Sequence, residues 1–459
     1  MIFQPEQFTT YSLLRTARGN DICRIMAEAI NCVNAEEIMQ KHVTYDANHL
    51  IVDNTRYDLK NYEQIYVIGA GKACVPMASA FQKIIKNKST SGMIITKDGY
   101  VDIENINLES KVEILVASHP LPDQRNIKAA SKLISFLSKI NHTDLVILLL
   151  SGGGSALLMH PASGITLEDI GNTTAVLMRS GTSISEINTI RKHLDLFKGG
   201  GLIKFLASAT VISLILSDVV GDCLDVIASG PAVGDPTTFV DAWKILQTYE
   251  VLDKIPTRVK NHIMNGIKGE IDETLKPGDP LLTKVKNVIV GRNTDAVNNA
   301  VILANLLGYH TKVLTTCMQG EAAQIGKSIA KDVNNLFSPS FLMPRPACLI
   351  AGGETTVTIM GKGIGGRNQE LALGAVEGLS GSNQIILASL ATDGGDGPTD
   401  AAGAVATNET YLRGLDMGLN ANVFLLNNDS YHYFNALGDL IKIGPTLTNV
   451  NDLVFIFFL

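Results

Sequence analysis

An α/β fold divided between two units is what this sequence predicts, and three observations carry that expectation. Short apolar runs rich in Val and Ile recur at 65–68, 93–95, 112–116, 145–150, 211–216, 288–290, 313–314, 348–351, 385–390 and 423–426, most of them without alternation. Strands buried on both faces of a mainly parallel sheet have that signature. The stretches between the runs show helical periodicity, the rhythm of strand–helix–strand units. Several runs also end on small or acidic residues, namely Gly69, Ser151, Asp218, Gly291, Gly352 and Asp393. Open α/β sheets hold their ligands outside the carboxyl ends of their strands, which is where these residues would lie.

In chain order, residues 1–240 are expected to form an N-terminal, Rossmann-like α/β domain. Residues 241–284 are more polar, with helical patches and a Lys-Pro-Gly-Asp-Pro turn signal at 276–280, and read as a helical connection. Strands resume over 285–459, the C-terminal α/β domain. A chain of 459 residues is too long for one compact core, so a division of this kind is required. The proline-bearing stretch 337–346 reads as a local loop.

Composition excludes several classes. The hydrophobic and charged fractions, 46% and 18%, are those of an ordinary soluble globular protein. A net charge of −7 with no basic block argues against a nucleic acid or an anionic membrane as partner. The apolar runs at 145–150 and 453–459 are strand-length, far short of the ~18 residues that cross a bilayer. The first residues lack a signal-peptide stretch, so the cytoplasm is the expected compartment. Six scattered cysteines with no CxxC pair predict buried free thiols, neither a zinc site nor a disulfide framework.

Six segments could carry chemistry. In IYVIGAGKA (65–73) a strand meets a glycine turn: Gly69 and Gly71 leave space for phosphate oxygens, and Lys72 could set an ammonium beside them. A tight strand–helix turn with a solvated lysine explains the same residues, and the GxxxxGK[ST] spacing of a P-loop is absent. In LLLSGGGSALL (148–158), Ser151, Gly152, Gly153, Gly154 and Ser155 offer amides and hydroxyls to a polyphosphate. In INTIRKHLDLFKGGGL (187–202), Arg191, Lys192, His193 and Lys198 concentrate positive charge that could neutralise a carboxylate or phosphate, or simply face solvent.

LSDVVGDCLDVIASGPAVGDPTTF (216–239) places Asp218 and Asp222 at a strand end, where carboxylates suit Mg²⁺. Capping and turn formation are the competing roles, above all for Asp225 and Asp235. GGETTVTIMGKGIGGRNQELAL (352–373) contains GxGxxG at Gly361, Gly363 and Gly366, but 355–360 alternates like a hairpin strand, and no acidic residue follows at the ~20-residue offset of a dinucleotide fingerprint. Arg367 and Asn368 instead put charge and hydrogen-bonding capacity at a helix start. ATDGGDGPTDAAGAV (391–405) gathers Asp393, Asp396 and Asp400 in a loop that could form a second carboxylate cluster. The GEAAQIGKS stretch (320–328) has five residues between its glycines where a Walker loop has four, and is read as a helix start.

Together these segments resemble the type II glycerate kinase family, whose C-terminal part is called the MOFRL domain. VIGAGKA, SHPLPD (118–123), LLLSGGGSALL, NTIRKHL with KGG, LSDVVGDCLDVIASGPAVGDPTTF, GGETTVTIMGKGIGGRNQE, ATDGGDGPTDAAGA and GPTLTNVNDL (444–453) occur in the family's order from 66 to 453. The resemblance implies two α/β/α domains flanking a cleft and phosphoryl transfer from ATP to D-glycerate, most often at the 2-hydroxyl. It implies Lys72 and Arg367 as the basic pair at the reacting phosphate. Asp218 and Asp393 would divide Mg²⁺ binding and proton acceptance, with Asp222 beside the metal. Ser151–Ser155 would cradle ATP, while Arg191, with Lys198 and Asn368, would meet glycerate. Two departures stand out: Asp195 after RKHL, where a small polar residue is expected, and Ala232 after SGP, where Thr is common.

Two other readings remain at the level of sequence. An NAD(P)H-dependent hydroxypyruvate reductase would use the glycine motifs but lacks the acidic ribose partner. A non-catalytic nucleotide-binding module would leave the carboxylates unexplained. Small molecules are the expected partners, and the chain is expected to be a monomer or homodimer.

Overall fold

The computed structural model describes residues 2–86, 88–99, 108, 111–206, 208–336, 344–381 and 384–459. Most of the expected 337–346 loop therefore lies outside the described residues. The chain forms two compact units, one of Met39–Val290 and one that joins Met1–Ile38 to Gly291–Leu459. This division departs from the expected one at both ends, and the reasons are in the packing of each unit.

In the Met39–Val290 unit a small antiparallel meander of β1 (Val43–Asp46), β2 (His49–Val52) and β3 (Thr55–Asp58) precedes the main sheet. That sheet contains β4 (Ile65–Ala70), β5 (Ser91–Lys97), β6 (Val112–Ala117), β7 (Leu145–Leu150), β8 (Thr210–Leu216) and β9 (Val285–Gly291). Their order is β6-β5-β4-β7-β8-β9, and every pairing from β6 to β8 is parallel. Parallel neighbours need crossovers, supplied here by helices such as Cys74–Ile85 and Gln124–Leu137. All six residues of β7 are buried, as a central strand covered on both faces requires.

The segment expected as a connection is helical, but it is not a linker. Helices Phe239–Thr248 and Thr257–Ile267 pack with Leu167–Arg179 and Ile184–Lys192 around a second core of Ile170, Leu177, Ile190, Phe239, Leu246 and Val259. The chain then returns to complete the sheet with β9, so the strand expected to open the C-terminal domain belongs to the first sheet.

The other unit is built on β10 (His310–Met318), β11 (Ala347–Gly353), β12 (Ile385–Ala391), β13 (Gly403–Thr407), β14 (Leu440–Ile441) and β15 (Asp452–Phe458), in the order β10-β11-β15-β12-β13-β14. The α/β class holds here too, but the sheet is mixed: β10 and β11 are parallel, whereas the remaining pairings are antiparallel. The cause is β15, a fully buried strand that inserts antiparallel between β11 and β12. Helix Arg367–Leu379 crosses Ala322–Leu336 at close range, since a Cβ on Gly326 would lie 2.0 Å from the Leu371 carbonyl oxygen. The GEAAQIGKS stretch does lead into that second helix.

Residues 1–38 pack into this same unit. Helix Gly19–Asn31 buries Ile22, Ile25, Met26 and Ile30 and contacts helix Asn293–Leu306. Thr448 Oγ1 donates to the Val33 carbonyl at 2.6 Å, and the Ser12 amide and hydroxyl both donate to Asp439 at 2.8 Å.

Two local expectations fail. The 423–426 run is helical, within Ala421–Leu426, because the Asn420 side chain accepts from the Asn422 and Val423 amides and caps it. The 355–360 stretch forms no strand beyond a single bridge at Thr356. Among the cysteines, Cys23, Cys74 and Cys348 are buried, whereas Cys223 and Cys317 are exposed. No helix among the described residues is long and apolar enough to cross a membrane.

Candidate active site

The order of the first sheet reverses direction between β4 and β7, and at such a switch point open α/β sheets hold their ligands at the carboxyl ends of the strands. The loops that follow, 71–73 and 151–154, are laced together. The Lys72 amide donates to the Gly152 carbonyl at 2.9 Å, the Ala73 amide to Ser151 Oγ at 2.9 Å, and the Ser151 amide to the Ala70 carbonyl at 3.4 Å. Gly71 has φ +145°, and a Cβ there would lie 2.2 Å from Ser151 Oγ, so no other residue fits.

This lacing corrects two assignments. Gly69 is part of β4, where a Cβ would press within 2.8 Å of the Leu149 carbonyl oxygen, so its role is sheet packing and not phosphate contact. Ser151 is buried, and its hydroxyl is spent on the Ala73 amide. Other backbone groups of the loop are left without a partner: among the described residues, the amides of Gly152, Gly153 and Ser155 donate to no protein acceptor. Gly153 has φ +84°, and a Cβ on it would lie 3.0 Å from His119 Cδ2 and 3.6 Å from Lys72 Cγ. The Lys72 stem and the His119 ring therefore flank this loop. The Ser155 hydroxyl pairs with Ser229 Oγ at 2.9 Å.

The expected basic patch at 191–198 is largely internal. Lys192 is buried and bridges Asp225 at 3.2 Å and Asp235 at 3.4 Å. His193 is buried against the Thr189 carbonyl and Glu273. That contact, with two backbone amides, holds the Glu273 carboxyl down at about 2 although burial pushes the other way.

Lys198, assigned to substrate, is only 2% exposed, and its Nζ donates to the Ser155 carbonyl at 2.9 Å, the Leu158 carbonyl at 3.3 Å and Asp195 at 3.3 Å. Three acceptors use the three protons of an ammonium, so Lys198 braces the glycine loop from beneath and offers nothing to substrate. Asp195, the departure from the family pattern, is the counter-ion of this brace and also accepts from the His160 and Phe197 amides. Arg191 lines a pocket of about 660 Å³, together with Pro120, Asp123, Met159, Glu168 and Ile170. Burial lowers its pKa, with the charge of Asp195 opposing that effect.

Asp218 and Asp222 follow β8, both partly exposed, with Asp222 held at φ +55° in a turn closed by its own amide on the Val219 carbonyl. Asp225, their neighbour in sequence, is taken by Lys192. Among the described residues no group of three or more His, Cys, Asp or Glu side chains could hold a metal alone.

In the other unit, Arg367 opens helix Arg367–Leu379 and is the centre of an ion-pair network. Its Nε and Nη2 donate to the two oxygens of buried Asp452 at 2.6 and 2.9 Å, and Nη1 lies 3.2 Å from Glu354. Burial disfavours the guanidinium charge, but Asp452 and Glu354 outweigh it and raise its pKa.

Asn368, expected at the substrate, is buried. It donates to Asp396 from its amide at 3.1 Å and accepts from Ser389 Oγ at 2.7 Å. The 391–405 carboxylates do not stay together as one cluster. Asp396 is buried and caps the helix through the Asn368 and Gln369 amides, and burial pushes its carboxyl up to about 6. Asp400 is exposed and paired with Lys442 and Tyr431, while Asp393 is half-buried in the turn after β12, accepting from the Gly395 amide. The GxGxxG glycines are packing positions: a Cβ on Gly361 would lie 2.2 Å from the Asn427 carbonyl oxygen, and one on Gly363 2.3 Å from Asp429 Cβ.

Three residues escape the sequence reading: His119, Asp452 and Glu354. His119 and Asp452 stand within SHPLPD and GPTLTNVNDL, motifs that carry the family resemblance without declaring a chemical role. Residues 21–264 match the model of a domain of unknown function, DUF4147, and residues 347–452 match the MOFRL family. The chain is 40% identical to the glycerate 2-kinase of Pyrococcus horikoshii, over 94% of its length and 95% of that protein's. It is also 40% identical to the D-glycerate 2-kinase of Thermotoga maritima, over 86% of this chain and 90% of that protein. A crystal structure of Thermotoga maritima glycerate kinase matches with a TM-score of 0.81 and 37% identity, covering 95% of this chain and 98% of that one. On this similarity, which runs through both units, the chain belongs to the glycerate kinase family.

Proposed function

We propose that this chain is a glycerate 2-kinase, transferring the γ-phosphoryl group of ATP to the 2-hydroxyl of D-glycerate. The observation that carries the reading is the switch point between β4 and β7, where the amides of Gly152, Gly153 and Ser155, without a protein acceptor among the described residues, lie beside the Lys72 stem. Backbone amides and an ammonium at the carboxyl ends of parallel strands suit a polyphosphate. The glycerate 2-kinase names of relatives at 40% identity supply the acceptor.

Phosphoryl transfer asks the protein for position and charge neutralisation more than for covalent help. The glycerate oxygen attacks the γ-phosphorus, the bond to the β–γ bridging oxygen breaks, and the hydroxyl proton passes to a carboxylate. Lys72 neutralises charge on the transferred group. Arg367 is assigned a like role: its Nη1 can turn from Glu354, the longer and more exposed of its two carboxylate contacts, while the bidentate bond to Asp452 keeps the guanidinium oriented. Arg191, partly desolvated in a mainly apolar pocket that Asp123 and Glu168 also line, meets the glycerate carboxylate.

Asp218 and Asp222 suit Mg²⁺ in the manner usual for that ion, one or two carboxylates with phosphate oxygens and water completing the shell. Bound Mg²⁺ would neutralise phosphate charge. Asp218 and Asp393 divide metal binding and proton acceptance between them. The protein would work as a soluble cytoplasmic enzyme.

The test is a coupled assay with D-glycerate, ATP and Mg²⁺, in which enolase converts 2-phosphoglycerate to phosphoenolpyruvate and no phosphoglycerate mutase is present. A signal is expected, and kcat should fall by about two to three orders of magnitude in Lys72→Ala and Arg367→Ala. A signal only after mutase is added would move the phosphate to the 3-hydroxyl. Near-normal kcat in both variants would sink the assigned roles of the two residues.

A further inference from the structure

None of the residues assigned to the phosphoryl transfer lines a cavity of about 770 Å³ in the unit of Met1–Ile38 and Gly291–Leu459. Pro346, Gln384, Ile386 and Thr407 line it, which places it at the start of β11 and β12. In the register of the sheet, Ala347 and Ile385 lie opposite Phe458, whereas Gly353 and Ala391 lie opposite Asp452. The cavity and the Arg367–Asp452 pair therefore occupy opposite ends of seven-residue strands, roughly 20 Å apart at about 3.3 Å per residue.

Its walls are basic in a chain whose net charge is −7. Arg15, Arg18, Arg345 and Arg413 all line it, with one acidic side chain, Glu409, and Leu459, to whose oxygen Arg345 Nη1 donates at 3.0 Å. Two of these cations are poorly neutralised. Arg15 has no carboxylate partner among the described residues, and its guanidinium lies 3.7 Å from the centre of the Tyr11 ring. The same ring carries Arg413 at 4.2 Å, so one aromatic side chain holds two like charges close together. Arg18 reaches Asp21 at 3.6 Å and the Leu307 carbonyl at 3.3 Å, but its Nη1 is buried without a hydrogen-bond acceptor. Arg413, by contrast, is committed to Asp439, Ser12 and the Leu437 carbonyl.

We propose that this cavity is a second anion site, binding a small phosphate-bearing metabolite through Arg15, Arg18 and Arg345, with Thr407 and Asn408 as neutral partners. Forked guanidinium groups match phosphate oxygens in pairs, and the volume accommodates a metabolite-sized ligand. The site lies at the opposite end of the sheet from Arg367 and Asp452, and none of the groups assigned to the phosphoryl transfer lines it.

The probe is inorganic pyrophosphate, titrated calorimetrically into the full chain in magnesium-free buffer, with Arg15→Gln/Arg345→Gln and Lys72→Ala as comparisons. The wild-type protein and Lys72→Ala should share a pyrophosphate site that the double variant binds about tenfold or more weakly, as the loss of charge-assisted contacts to phosphate predicts. The double variant should keep its kcat for glycerate within about twofold when no pyrophosphate is present, because both arginines lie at the sheet end away from Arg367. Equal binding by wild type and double variant would overturn the proposal. So would a site lost in Lys72→Ala and kept in the double variant, or no heat with the wild type up to about 10 mM.

Discussion

At the scale of single residues, the chemistry of this chain turns on which charges are buried. Lys198 and Arg191 are seven residues apart and look alike in sequence, yet one is sealed under the glycine loop and the other lines a pocket. Lys198→Met removes three bonds and leaves Asp195 buried without its counter-ion. A loss of about 3–5 kcal/mol is expected, read by urea denaturation. A substrate ligand would behave in the opposite way, with KM raised and stability kept. Asp396 makes a second prediction. Burial raises its pKa from 3.8 to about 6, so the unfolded chain ionises first as pH rises and stability is lost between about 4 and 6. Asp396→Asn has no charge to bury. Relative to wild type it should gain on the order of 2–3 kcal/mol across that window, offset at all pH by the weaker cap on Gln369, and urea melts at four pH values would show it. Neither outcome is legible in the sequence, because a lysine or aspartate in a polar motif carries no mark of whether three carbonyls or solvent will surround it.

At the scale of elements, the sequence is a good guide where a strand is buried on both faces. The runs that form β4, β7, β8, β11 and β12 lack alternation for that reason, and nine of the ten runs named from sequence are strands. The exception, 423–426, exposes Val423 and Leu426 and is governed by its Asn420 cap and not by burial. Direction is harder to read. The run that forms β15 resembles the parallel strands around it, since apolar content records burial and not orientation. This explains why Asp452 carries no sequence-level assignment: an antiparallel strand begins at the edge where parallel neighbours end, and it delivers its first residue to Arg367. The phosphate loops, by contrast, are recognisable as a region, because their glycines directly follow buried strands. What sequence does not distinguish is which glycines face a ligand and which, like Gly69, only let two strands approach.

At the scale of the whole chain, the 39–290 unit is an insertion within the fold of the other one. The expected boundary at 240–284 fails because a polar, helical stretch resembles a linker even when it shares a core with helices 70 residues earlier. Sequence adjacency assigns the N-terminal 38 residues to the first sheet's domain, whereas their buried face fits helix Asn293–Leu306. A chain lacking residues 1–38 should therefore lose stability in the unit that contains β10–β15 and leave the 39–290 unit intact. Limited proteolysis with fragment masses would check this: early cuts should fall after 291, and early cuts within 39–290 would contradict it.

The same insertion governs how the protein is made. Helix Gly19–Asn31 leaves the ribosome among the first segments, but the surface it covers is encoded more than 250 residues later. At about 5–20 residues per second, its apolar face waits on the order of 10–50 s for a partner. During that interval the 39–290 unit has everything it needs to fold. The nascent helix, with Ile22, Ile25, Met26 and Ile30 uncovered, is thus the segment of this chain most in need of a chaperone.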